Sequence, residues 1–337
     1  MSAFVDKTQF HFYPTSAEDA IADVDSYVEA FEQYGIVVLK DAYLSEYDAV
    51  RVLTRMGKKL GWTPNHPGSP FETLEEQPTD EEPATWKHVV RHAERIEQAK
   101  QLMMNSTHDQ IIQWHLDGVA AEFQHMAAGW NMQVFTCDPS AGSSGFLDMQ
   151  SMIDAIPQKF VDLIRAAEIA HLPIMRSQRV GEFAIKAEFA RLVKDMRRPT
   201  WIFDVDDYIS SYPRPAIAPH PHTGVDTLRT DPVRAPWGFQ EFLFSVDGRK
   251  PTESEYLLFD EYFAWFDATI HGLNDERTYW HEWGPGDFVV PDLFRMLHGV
   301  RGGFEDGQRI FNAYWCFPPG TPIDNELRMS VFDYNNL

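Results

Sequence analysis

Residues 17–34 (AEDAIADVDSYVEAFEQY) place apolar side chains three and four positions apart, the spacing of one helix face, and Ser16 precedes them as a cap. Gly35 then stops the helix, and the apolar run IVVLK predicts a short buried strand. A second amphipathic stretch covers 45–60 and ends near Gly61. Residues 63–84, rich in Pro, Glu and Asp, predict a loop, and the charge-rich 85–102 a third helix.

Beyond residue 104 the texture changes. GWNMQVFTC, TWIFDV, GDFVVPD and IFNAYWCF are short, aromatic and β-branched runs separated by turn residues, the pattern of a sandwich or barrel. Two helical stretches interrupt them, at 149–167 and 252–272, the first restarting at Pro157. The tail 318–337 is irregular. There is no internal repeat. The order predicts an α+β protein with a jelly-roll (double-stranded β-helix) core flanked by helices. It reads as a single domain, with a helical part over about 1–104 and the core over about 105–317.

Composition sharpens this. With 337 residues the chain can bury a large core without a disulfide or metal staple. Aromatic content is 14%, including 10 Trp and 24 Phe, which favours aromatic strands around an enclosed pocket. The net charge of −22 should repel phosphate backbones and anionic lipid, which argues against nucleic-acid or membrane-surface binding. Cys137 and Cys316 form no CxxC pair, so neither a zinc ribbon nor a redox motif is present. The MSAFVDKTQF start lacks a basic segment followed by an apolar one, and no run reaches about 18 apolar residues. The expectation is a cytoplasmic protein.

The chemistry is concentrated in two places. In QWHLDG, His115 and Asp117 stand two apart, so on a strand both side chains face the same way and offer an imidazole and a carboxylate to one divalent metal. One such pair is common by chance and needs a third ligand. His298, in WGPGDFVVPDLFRMLHG, is the candidate. Two His and one carboxylate bind one face of an iron and leave positions open for a chelating co-substrate and dioxygen. Eleven residues on, Arg309 sits among apolar neighbours in GQRIFNAYW. A buried guanidinium there needs an anion, and its planar fork suits a carboxylate.

In these pieces the chain resembles the taurine-dioxygenase-like (clavaminate-synthase-like) iron(II)/2-oxoglutarate oxygenases. They run in order from YGIVVLK through WHLDG, GSSGFLD with a helix ending in AIP, PHPHTG and the WGPGD…D…H block to Arg309 and Tyr314. The resemblance implies that His115, Asp117 and His298 hold Fe(II). It implies too that Arg309 pairs with the distal carboxylate of 2-oxoglutarate, with Ser144 where the family usually has Thr. Trp283, Gly286 and Asp287 match the family's turn and read as structural. Two departures matter: Leu293 replaces a usual Asn after Asp292, and Ala313 stands where taurine enzymes carry a second Arg. The implied reaction uses O2 and 2-oxoglutarate to hydroxylate an unactivated C–H bond of a small-molecule substrate, with succinate and CO2 as co-products. Asp117, by filling a ligand position, disfavours halogenation, while desaturation or cyclisation would share the chemistry.

Other candidates have plainer readings. His88 and His92, four apart on the expected 85–102 helix, read as a surface face. His220 and His222 lie in a Pro-flanked turn. Arg295, Arg301 and Arg229 read first as paired or solvated, although Arg301, three residues past His298, has the best claim to a substrate contact. Two competing readings remain at this level: a non-catalytic jelly-roll binding protein, and an iron oxygenase without 2-oxoglutarate.

Overall fold

The computed structural model describes residues 9–64, 90–93, 111–116, 126–138, 140–171, 214–230, 242–249, 251–272, 277–305 and 308–318. Asp117, His88, TWIFDV, nearly all of the 63–84 loop and the tail past 318 lie outside them. The chain opens with β1 (His11–Phe12), α1 (Ala17–Ala22), α2 (Val24–Tyr34), β2 (Ile36–Leu39), α3 (Glu46–Leu60) and β3 (Thr63–Pro64). Then come β4 (Val90–Ala93), β5 (Ile111–His115), β6 (Ala127–Phe135), β7 (Ser144–Asp148), α4 (Gln158–Ala166) and β8 (Ala167–His171). β9 (Arg214–Pro215), β10 (Ile217–Pro219), β11 (Asp226–Leu228) and β12 (Phe242–Val246) precede the long helix α5 (Glu253–Gly272). β13 (Thr278–His281), β14 (Phe288–Pro291), β15 (Met296–Arg301) and β16 (Arg309–Phe317) complete it.

Local signals explain most helix ends. The Ser16 hydroxyl accepts the Asp19 N–H, and Gly35, at φ 70°, donates its N–H to the Phe31 carbonyl. The expected 17–34 helix is two helices. Asp23 leaves helical geometry between them (φ −93°, ψ 18°), and its carboxylate accepts the Ser26 hydroxyl at 2.6 Å. Pro157 restarts the chain into α4, as expected, after a short 3-10 turn at Ile153–Ala155.

The expected 85–102 helix is corrected at Val90–Ala93, which is a strand running antiparallel to β16 with Ile310 opposite Ala93 and Ala313 opposite Val90. The unpaired ladder edge of β16 recruits it, and edge pairing outweighs a weak helical spacing.

Two sheets position the site. The larger has the order β1-β2-β14-β6-β16-β3, with β4 also on β16; the smaller is β13-β7-β15-β5. All their pairings are antiparallel except β1 with β2. Strand alternation gives the smaller sheet two apolar faces. Phe146, Tyr279 and Met296 join Trp130, Phe288 and Phe311 of the larger sheet in one core, whereas Leu147, Leu297 and Trp114 join Phe160, Tyr262 and Phe266 of the helices in another. This makes a mixed α/β fold, built on several antiparallel sheets, with the inner face of each main sheet turned to the other. No helix among the described residues is long and apolar enough to cross a membrane.

Candidate active site

His115 ends β5 directly opposite His298 in the β5–β15 register, and their ring centroids are 4.0 Å apart. Trp114 faces the outer core, so alternation sends His115 inward. His298 is 5% exposed, and Trp130 of β6 meets its ring edge-on at 5.1 Å. Two imidazolium rings this close would repel, whereas two neutral rings can offer nitrogen lone pairs to one cation. That donor set fits a borderline divalent metal. Asp117 lies just beyond the last described residue of this segment, and among the described residues no three His, Cys, Asp or Glu side chains are gathered for a metal.

Arg309, first residue of β16, is 1% exposed and crosses between the sheets. Its Nη2 donates to the Ser144 hydroxyl at 3.0 Å, and its guanidinium lies 5.0 Å from the Phe311 ring centroid and 5.8 Å from that of Trp283. Ser144 opens β7 opposite Val300, two residues from His298. The Arg309–Ser144 cradle and the histidine pair therefore share one inner face, roughly 7 Å apart along the strand.

Beside the cradle is a buried polar chain. Asp287 accepts from Lys40 Nζ (2.5 Å), the Gly284 N–H (2.7 Å), the Asp41 N–H (3.1 Å) and His281 Nε2 (3.1 Å). His281 Nδ1 meets the Tyr279 hydroxyl at 2.8 Å, and that hydroxyl meets His11 Nε2 at 2.8 Å. Burial alone would raise the Asp287 carboxyl, but the His281 and Lys40 contacts and the Gly284 N–H outweigh it and hold it below the usual range. Burial holds His281 below its usual range against the pull of Asp287. Burial also pushes the Tyr279 phenol well up. Both depressed groups bind protons more weakly in the folded than in the unfolded chain. Stability is therefore fully present above an unfolded histidine's value of about 6.5 and falls as acidification protonates unfolded His and then unfolded Asp near 3.9. Urea unfolding at pH 7.5, 5 and 3.5 should show this loss, and Asp287→Asn should lower stability at pH 7.5 and flatten the profile between pH 5 and 3.5, where the carboxyl takes up its proton. A profile unchanged by the substitution would remove Asp287 as a cause.

The remaining candidates have structural partners. His220 Nε2 bonds Asp292 at 2.8 Å while its Nδ1 accepts the His222 and Thr223 N–H groups, so it donates to a carboxylate whose other oxygen caps the Phe294 and Arg295 N–H groups. Arg295 forks onto Asp148 at 2.9 and 2.7 Å, and Arg229 bonds the Phe294 carbonyl and lies 3.9 Å over its ring. The Arg301 guanidinium stacks 4.0 Å from the Trp280 ring centroid, whose indole lies over Gly145 on the outer face, away from the face of His298. Strand parity decides this, because three residues past an inward His is an outward position. His92 is on β4, not on a helix, and His88 lies outside the described residues. Trp130, packed on His298, was not singled out by any sequence signal beyond its aromatic strand. Trp283 bonds Ser144 through its indole N–H at 2.9 Å, a contact its place in a turn motif did not reveal.

Residues 9–315 match a family model of dioxygenases, which makes this chain an iron(II)- and 2-oxoglutarate-dependent oxygenase that draws on Fe(II), 2-oxoglutarate and O2. The family is taurine catabolism dioxygenase TauD, TfdA, and the chain belongs to it. A curated relative, alpha-ketoglutarate-dependent xanthine dioxygenase xan1 of Schizosaccharomyces pombe, is 37% identical over 60 residues. That match covers 17% of this chain and 14% of that protein. Among solved structures, a taurine dioxygenase from Burkholderia xenovorans is similar in fold at TM-score 0.50 and 16% identity, over 88% of this chain and 80% of that one. AAD-2 in complex with Mn(II) and N-oxalylglycine is similar at TM-score 0.51 and 14% identity, over 95% and 98%.

Proposed function

We propose that this enzyme hydroxylates an unactivated C–H bond of a small molecule, with His115, Asp117 and His298 holding Fe(II) and Arg309 and Ser144 holding the distal carboxylate of 2-oxoglutarate. The observation that carries the reading is the shared inner face: a pair of facing imidazoles, and roughly two residues along the strand a buried guanidinium bonded to a hydroxyl. A five-carbon keto diacid has the length to reach from one to the other. The two facing sheets read as the halves of a double-stranded β-helix, with the whole chain as one catalytic domain.

Bound there, iron(II) and 2-oxoglutarate supply the oxygen activation: one atom of O2 goes to the substrate, the other to succinate, and CO2 leaves. The protein's own part is positioning. Arg309 and Ser144 fix the far end of the co-substrate, so its keto acid end meets the histidines in one orientation. Trp130, Phe146 and Phe311 wall the space with apolar surface and keep water from the reacting centre. Ala313, fully buried on β16, offers no cation where taurine enzymes carry their second Arg, so a sulfonate is not the expected substrate.

Arg309→Met tests the cradle. It should weaken 2-oxoglutarate by about 100-fold, the loss expected when a charge-assisted pair is removed, while iron(II) affinity stays within about twofold. Anaerobic titration of the iron–2-oxoglutarate charge-transfer absorption reads both. Unchanged 2-oxoglutarate affinity would overturn the assignment and favour an iron oxygenase that takes its electrons elsewhere.

A further inference from the structure

We infer that Trp283 is a positioning residue that fixes the direction of the Ser144 hydroxyl and turns the Arg309–Ser144 cradle into a donor-only socket, selecting a carboxylate over its amide. The inference rests on the assignment of that cradle to the distal end of 2-oxoglutarate. An indole N–H can only donate, and so can a guanidinium. Both point at one atom: Trp283 Nε1 lies 2.9 Å and Arg309 Nη2 3.0 Å from Ser144 Oγ. A serine oxygen has two lone pairs, and these two bonds use them. What remains to Ser144 is its proton, which must be donated.

Burial gives this arrangement force. Ser144 is 1% and Trp283 3% exposed, so bulk water does not take over either bond. The indole is itself held in place. Its ring meets His281 edge-on at 4.5 Å, and His281 is anchored to Asp287, which is held in turn by Lys40 and backbone N–H groups. Guanidinium and hydroxyl together thus present only protons to a ligand. A carboxylate, all acceptor, satisfies them; a primary amide sets its own N–H protons against them and leaves donors unpaired, which is costly in a buried site. Trp283 contacts no co-substrate in this scheme. It acts through Ser144.

Calorimetry on the anaerobic iron(II)-loaded enzyme can separate this role from packing, using 2-oxoglutarate, its distal amide, and pyruvate, which lacks the distal group. Wild type should prefer the acid over the amide by about 100-fold. Trp283→Phe, which keeps a ring but loses the N–H, should weaken 2-oxoglutarate about tenfold, narrow the acid-over-amide ratio, and leave pyruvate within about twofold. In a Ser144→Ala background the same change should cost less than about twofold, and Ser144→Thr should restore both the affinity and the sensitivity to Trp283. Losses that multiply in the double variant, or an equal loss for pyruvate, would make Trp283 a packing residue and overturn the inference. Should Trp283→Phe not fold, the acid-over-amide ratio of Ser144→Ala against wild type tests the same polarity, and an unchanged ratio overturns it. If wild type binds pyruvate as tightly as 2-oxoglutarate, it is the cradle assignment itself that fails.

Discussion

His298→Ala should abolish turnover, by at least about 10³-fold, because it removes one of two imidazoles that face each other at 4.0 Å and leaves the other without a partner on β15. The cost is expected in iron(II) affinity, since changes merely behind a ligand already cost about 10- to 100-fold. Calorimetric titration of iron(II) into the apoprotein, beside substrate-dependent succinate release, reads the two effects together. The apoprotein should keep its urea midpoint to within the cost of a small cavity, because His298 packs on Trp130 but carries none of the inter-sheet core alone. Retained iron affinity with full turnover would remove His298 from the metal site. His115→Ala should behave alike, which a purely structural histidine pair would not require.

The largest expected stability loss lies away from the metal. Arg295 forks onto Asp148 from just before β15, and its Nη1 also donates to the carbonyls of Glu32 (3.4 Å) and Gln33 (3.2 Å) near the end of α2. Burial works against the Arg295 charge, but Asp148 more than offsets it and raises the group further. Arg295→Ala strands the Asp148 carboxylate in the interior and should cost about 3–5 kcal/mol. Replacing both partners with apolar residues of similar volume, Arg295→Met with Asp148→Leu, should recover most of the loss, because no unpaired charge is left. Urea unfolding of the two single variants and the pair is the measurement. A single-variant loss under about 1 kcal/mol would mean that water reaches Asp148 once the guanidinium is gone.

These two sites differ in how far the sequence disclosed them. His115 and His298 could be singled out as candidates from the HxD spacing and the WGPGD block, and Arg309 from its place in the family pattern; the structure brings these three to one inner face, while Asp117 lies outside the described residues. Ser16, Gly35, Gly61 and Pro157 set helix boundaries through their own backbone chemistry, so those boundaries could be read one segment at a time. The break at Asp23 lies in the backbone angles of one residue, and spacing alone passed over it.

Arg301 shows where such reading stops. Nearness to His298 along the chain suggested a substrate contact, yet parity sends its side chain to the outer face and onto Trp280. Val90–Ala93 likewise read as helix by its own composition and became a strand because β16 had an edge to pair. The bidentate grip of Arg295 on Asp148 and the indole N–H of Trp283 on Ser144 join residues 147 and 139 positions apart. No spacing rule reaches so far.

The sequence by itself determined the candidate donor groups, the order of the motifs and the local punctuation of the helices, since each can be read within a few residues of chain. Only the tertiary structure decided which side of each strand faces the reaction and which donors meet at one serine oxygen. Those outcomes depend on how two sheets lie against each other, and that is set by the burial of Phe146, Tyr279 and Met296 on one face and Leu147 and Leu297 on the other.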